Sequence, residues 1–230
     1  MKVLFNSDDF GLTKSITDGT IDAHVNGVVN STTLMMNGHA VPYALEEAKK
    51  HPNLKVGIHL VLTWGKPLRD DLPSLTRADG YFKFNSLMQD ELDVEAVKKE
   101  WTAQIEAFLQ TGFPLHHIDS HHHVHGDHRL KDVVIDLAKT YDLPVRYMDS
   151  LKDEQAILLT EYLYDGFYAD GVREDLLDQI EKLPYESVEI MTHPSFIDDD
   201  LRAVSSYVEK RADELRILKN LKIPQTIKVL

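Results

Sequence analysis

A chain of 230 residues that is 43% hydrophobic can bury one sizeable core, and it reads as a single globular domain over 1–230. Its 38 acidic and 25 basic residues leave a formal charge of −13, which excludes nucleic acid and anionic membrane surfaces as expected partners, since both would repel it. There is no cysteine, so disulfides, thiolate catalysis and Cys-ligated zinc are excluded, and any metal must be held by histidine and carboxylate.

Taken in chain order, residues 2–7 read as a buried strand and 15–26 as a helix that Gly27 stops. Residues 28–35 form a second strand rich in Val and Thr, 42–51 a short helix with proline at its first position, and 55–60 a third strand. Residues 61–92, with Pro67, Pro73 and Asp79-Gly80 but no clear period, form a long excursion of the kind that usually carries function. Asp93 caps a helix running to residue 110, in which Val97, Trp101, Ile105 and Phe108 recur at helical spacing before Gly112 ends it. Residues 115–119 are a fourth strand, 130–141 a helix, 144–148 and 187–191 further strands, and 201–221 a final amphipathic helix. The N-terminal segment turns acidic too early for a secretory signal, and no apolar run reaches the roughly 18 residues that span a bilayer, so a soluble cytoplasmic protein is expected.

Strands alternating with helices imply βαβ units and a mostly parallel sheet, which an open doubly wound sheet or a closed barrel would satisfy. The chemistry-bearing residues favour the barrel. Asp8-Asp9 closes the first strand, His59 the third, His121 follows the fourth, and His193 follows the strand at 187–191. All four positions lie at C-terminal strand ends, where α/β active sites are built, and strands spread over the whole chain share one pocket most easily if the sheet curls. The expected fold is therefore α/β, a distorted TIM-like (β/α) barrel.

Six of the 12 histidines fall between His116 and His125, a density suited to metal binding or proton transfer near neutral pH. If the backbone stays extended there, Asp119, His121, His123 and His125 share one side and His122 faces the other. They then divide into a ligand, supporting partners and a substrate contact. Asp8-Asp9 reads either as a helix cap or as two carboxylates of divided labour, one on a metal and one free as a base. His59 is a core histidine or a ligand, and Gly57 beside it permits close backbone approach. His193-Pro194 is a loop feature or, opposite a metal, a general acid. Arg146 at another strand end is a surface arginine or a bidentate partner for Asp8 or Asp119. Trp64 in the excursion is a loop anchor or a platform for a sugar ring.

The run Asn6-Ser7-Asp8-Asp9-Phe10-Gly11-Leu12 resembles the opening motif of the YdjC-like carbohydrate deacetylases. The later landmarks follow in order: Gly27 to Thr33, Met36-Asn37-Gly38, Gly57-Ile58-His59-Leu60, Leu62 to Leu68, His117 to His125, and Glu189 to Pro194. The resemblance covers nearly the whole chain, residues 1 to about 216, and is strongest to the chitooligosaccharide (chitin disaccharide) deacetylases. It implies a metal-dependent hydrolase that removes acetyl from N-acetylglucosamine units of a small oligosaccharide. The family's metal ligands fall on Asp9, His59 and His121, its base on Asp8 and its acid on His193. Three positions depart from the family pattern, namely Ser7, His116 and His122, and none of them is an implied ligand.

One divalent ion is implied as cofactor. The resemblance points to Mg²⁺, whereas a His₂Asp donor set favours Zn²⁺ or another transition metal. Two other classes compete: a metal-dependent phosphoesterase or sugar isomerase on a similar barrel, for which no phosphate-binding nest stands beside these ligands, and a non-catalytic metal- or sugar-binding protein. The final amphipathic helix and the loop aromatics are compatible with a homodimer.

Overall fold

The structure, a computed structural model, describes residues 1–86, 88 and 91–230. Seven strands are present among them: β1 (Lys2–Phe10), β2 (Ser31–Leu34), β3 (Lys55–Leu60), β4 (Ile118–Ser120), β5 (Tyr162–Tyr164), β6 (Ser187–Thr192) and β7 (Lys228–Val229). Their order is β4-β3-β2-β1-β6-β5, and every pairing is parallel. β7 lies against Lys2 and Val3, on the part of β1 that precedes its pairing with β2 at Asn6. The two ends of the ladder approach each other through single-residue parallel bridges, Ile118 to Val145 and Val145 to Leu158. The sheet is thus a curled, distorted TIM-like barrel, as the strand-end residues implied.

Helices α1 (Lys14–Val25), α2 (Val41–Lys50), α3 (Val94–Gln110), α4 (Lys131–Tyr141), α5 (Leu176–Ile180), α6 (Asp199–Val204) and α7 (Glu209–Asn220) flank it. α3 shows how the sequence builds one of them. Asp93 accepts the Ala96 N–H at 3.0 Å as an N-cap, and Val97, Trp101, Ile105 and Phe108 are fully buried against the sheet. Each such large apolar side chain contributes about 1.5–3 kcal/mol by leaving water. The same helix buries two polar residues to hold the excursion. Gln104 exchanges hydrogen bonds with the backbone of Val61, and Glu100 accepts the N–H groups of Leu68 and Arg69.

Three sequence expectations are corrected. The strand at 144–148 shrinks to the bridge at Val145, because only that residue finds partners on both sides. The helix at 201–221 is two helices, α6 and α7, separated by a turn at 205–208 in which Ser205 Oγ accepts the Tyr207 N–H and bonds the Tyr207 carbonyl. The histidine cluster is not extended. His122 and His123 take left-handed φ values of 54° and 55°, and His121–Gly126 folds into a 3₁₀ turn. The excursion at 61–92 carries only a short 3₁₀ turn, Pro73–Leu75, and an antiparallel bridge between Thr76 and Phe82 among its described residues; Leu87, Gln89 and Asp90 lie outside them. No described helix is long and apolar enough to cross a membrane.

Candidate active site

A cleft of 620 Å³ opens at the C-terminal ends of the strands, and Asp8, Asp9, His59, His121, His123 and His193 all line it. Its geometry starts at the end of β1. Pairing with β2 loses register between Ser7 and Phe10, and Asp9 adopts a φ of 66°, a left-handed conformation that costs a β-carbon-bearing residue about 1–3 kcal/mol. The break lets consecutive carboxylates serve different neighbours.

Asp9 Oδ1 meets His121 Nδ1 at 3.0 Å and His59 Nε2 at 3.4 Å, while its Oδ2 accepts Arg211 Nη2 at 2.6 Å. Asp8 instead accepts both Nη atoms of Arg146, at 2.7 and 2.6 Å, and Asn6 Nδ2 at 2.8 Å. Burial alone would raise both carboxyls, but Arg146 for Asp8 and Arg211 with His121 for Asp9 hold them well below the usual carboxylate range. Both are therefore ionised through the ordinary carboxylate range and above it.

His59 is oriented from behind. Asp119 Oδ1 lies 2.7 Å from its Nδ1, so Nδ1 carries the hydrogen and Nε2 faces Asp9. Thr33 Oγ1 donates to the other Asp119 oxygen at 2.9 Å. Burial opposes a charged imidazole here, yet Asp119 and Asp9 outweigh it and push His59 up to about 10.

Within the cluster, the turn sends each imidazole somewhere different. His121 reaches Asp9. His122 lies against His121, with centroids 3.9 Å apart and the rings tilted by 35°, and meets Thr63 Oγ1 at 2.9 Å. His123 is partly buried on the cleft wall, with its Nδ1 shielded from solvent and lacking a protein partner, and His125 turns inward to Ser120 Oγ. Burial brings His122 and His123 down to about 4, so both are neutral near pH 7.

Asp9, His59 and His121 offer a carboxylate oxygen and two imidazole nitrogens within 4.8 Å of one another. Arg211 occupies the outer oxygen of Asp9 and Asp119 the rear nitrogen of His59, so this donor set suits one divalent cation with positions left open. Among the described residues two other His/carboxylate groupings occur, Asp8-His59-Asp119 and His117-Asp119-Glu189. The guanidinium of Arg146 already fills the space among them, donating to Asp8 and to Glu189 Oε1 and lying 2.8 Å from Asp119 Oδ2, and it repels a second cation.

A family model described as YdjC-like protein matches residues 2–229. The chain belongs to the YdjC-like family. A relative from Oceanobacillus iheyensis named carbohydrate deacetylase is 51% identical over 99% of this chain and 100% of its own length. Another of that name from Vibrio vulnificus is 40% identical over 95% of this chain and 88% of its own. A solved Enterococcus faecalis structure, described as a cellobiose-phosphate cleavage protein, superposes with a TM-score of 0.90 at 36% identity, covering 95% of this chain and 90% of that one. A lactam utilization protein from Thermus thermophilus shares the fold, with a TM-score of 0.55 at 16% identity and 95% of each chain covered.

In this YdjC-like protein the structure brings every strand-end residue of the sequence reading to one cleft, and Arg146 and Asp119 lie directly beneath it. Trp64 lines the outer wall and donates its indole N–H to the Val204 carbonyl at 3.2 Å, so it is an anchor for the loop as well as part of the cleft. Three site residues have no counterpart in the sequence reading. Arg211 grips Asp9, Glu214 accepts the backbone N–H of His193, and Tyr207 donates to Glu214 at 2.6 Å. Burial pushes Glu214 up to about 8 against these donors and holds His193, with help from nearby Arg211, down to about 3. The resting His193 is a neutral imidazole whose Nδ1 has no protein partner.

Proposed function

We propose that this protein hydrolyses the N-acetyl group of N-acetylglucosamine units in small chitooligosaccharides, releasing acetate and a free amine. The observation that carries the reading is the split between Asp8 and Asp9. Adjacent carboxylates, separated by the break in β1, serve an arginine-held position and a His₂ position in the same cleft, with His193 also on its wall. The names of the relatives support the reaction class.

Asp9, His59 and His121 would hold the divalent ion, Mg²⁺ by family resemblance and Zn²⁺ or another transition metal by donor chemistry. When bound, it supplies Lewis acidity toward the acetamide carbonyl and lowers the pKa of water in the cleft. Asp8 takes a proton from the water that forms the new C–O bond. Its depressed proton affinity makes it a weak base in bulk terms but keeps it unprotonated and fixed in orientation. His193 donates to the amine nitrogen as the C–N bond breaks. Because its resting imidazole is neutral, His193 first takes the water's proton from Asp8 and delivers it to the amine in the same turnover, which leaves Asp8 ionised again. Low proton affinity then favours donation.

The test is acetate release from N,N′-diacetylchitobiose by metal-stripped protein given Mg²⁺, Zn²⁺, Co²⁺ or Mn²⁺ separately. Metal-dependent acetate that is absent from His121→Ala supports the reading. Cleavage of the disaccharide without acetate would replace it with glycoside chemistry, and phosphate released from a phosphorylated sugar offered in its place would replace it with phosphoesterase chemistry.

A further inference from the structure

Beyond Trp64 lies a second cleft of 740 Å³ that shares Trp64 and Val204 with the catalytic one. We propose that it is a distal subsite that takes further sugar units of the same oligosaccharide. The inference rests on the saccharide reading of the catalytic cleft and extends it to chain length.

Continuity is the first support. Trp64, whose Nε1 donates to the Val204 carbonyl, lines both spaces together with Val204, so the two clefts adjoin at this pair and a chain leaving the catalytic cleft meets the indole before the second. Chemistry is the second. Tyr81 is 44% exposed, Lys66 Nζ lies 5.0 Å from its ring centroid and Arg77 Cζ 5.8 Å. The half-exposed ring carries flexible cations over its face, and a sugar that displaces one of them stacks its C–H face on the ring while its hydroxyls accept from the displaced cation. Asn37 on the same wall commits its Nδ2 to the carbonyls of Trp64 and Lys66, and its Oδ1 is left without a protein partner.

Preorganisation is the third support. The loop that builds this cleft is pinned before any ligand arrives: Glu100 of α3 accepts the Leu68 and Arg69 N–H groups, and Asn37 ties down the turn at Gly65, whose φ is +70°. A loop ordered in advance spares the binding energy that ordering it on contact would consume. The long excursion in the sequence thereby acquires a purpose.

The experiment compares kcat/KM for acetate release from the N-acetylglucosamine dimer and tetramer, in wild type, Tyr81→Ala and Lys66→Ala. Wild type should favour the tetramer by about tenfold, the equivalent of about 1.4 kcal/mol, and Tyr81→Ala should collapse that ratio toward one. A wild-type ratio near one, or a ratio that both variants leave intact, overturns the subsite. Calorimetric titration of the tetramer runs in parallel. If no oligomer yields acetate, the deacetylase reading fails, yet tighter tetramer than dimer binding that depends on Tyr81 still supports the subsite, and equal binding sinks it.

Discussion

Arg146 binds Asp8 through both carboxylate oxygens, at 2.7 and 2.6 Å, and with its other edge donates to Glu189. All three side chains are buried, so one guanidinium fixes the plane of the proposed base from beneath the cleft floor. Breaking such a cluster leaves uncompensated charge. Arg146→Met should lose about 3–5 kcal/mol near neutral pH. The pH dependence has a definite sign. In wild type Arg146 keeps Asp8 ionised, so that stability persists above the ordinary carboxylate range and is lost only as pH falls far below it. Without Arg146, burial dominates for Asp8 and raises Glu189 further from its value of about 7, so folding takes up protons. The melting temperature of Arg146→Met, followed by circular dichroism, should climb more steeply than that of wild type as pH is lowered from about 8 to about 5. A parallel pair of curves would show that Arg146 does not set these carboxyls.

Metal binding should compete with protons. His59, pushed up to about 10 against its burial by Asp119 and Asp9, must give up a proton before it can act as a ligand. Affinity should therefore rise with pH, by about tenfold per unit below that value for a single displaced proton. Calorimetry in two buffers of different ionisation enthalpy counts the proton directly, and a count of zero rejects His59 as a ligand.

Asp8→Asn and His193→Ala should each slow acetate release on the order of 10²–10⁴-fold while metal content stays at wild-type stoichiometry. Neither residue titrates near neutrality, Asp8 lying below and His193 at about 3, so neither should produce an acidic limb above about pH 5 in kcat/KM. Loss of metal from Asp8→Asn would move Asp8 into the ligand set.

Arg211 holds the outer oxygen of Asp9 and thereby aims the inner one at both histidines. Arg211→Met should weaken metal binding about 10–100-fold, read by competition with a chromogenic chelator. An unchanged affinity would reduce Arg211 to a packing role.

Gly57→Ala tests how the third strand delivers His59. A β-carbon there would sit 2.5 Å from the His117 ring and 2.8 Å from the His117 carbonyl oxygen. Relief requires β3 to part from β4, where His59 and Asp119 are paired in register. The variant should lose about 1–3 kcal/mol and bind metal more weakly, by thermal melting and chelator competition respectively. Loss of stability alone would mean that the strands part without disturbing His59.

What was legible in the sequence was what local periodicity and strand-end placement encode. The third strand and the Asp93-capped helix match the observed bounds, and Asp8, Asp9, His59, His121 and His193 meet in one cleft. Less legible were features set by long-range pairing. Val145 is a strand only because Ile118 and Leu158 flank it, and β7 only because β1 has a free edge at Lys2 and Val3. Arg211 and Glu214, three apart on α7, have the spacing of a solvated helix face, and nothing local says that both turn inward. The left-handed pair His122-His123 was invisible for a similar reason, since turn conformation at non-glycine residues is imposed by surroundings.

The contact between Arg211 and Asp9 spans 202 residues. On a ribosome adding about 5–20 residues per second, Asp9 emerges about 10–40 s before its counter-charge exists. Until then β1 carries a carboxylate that cannot be buried without its partner, so the central strand has reason to stay unsettled while the rest of the barrel is being made. The first strand can close only once α7 supplies Arg211, so assembly of the cleft waits for a helix made long after the strand it completes.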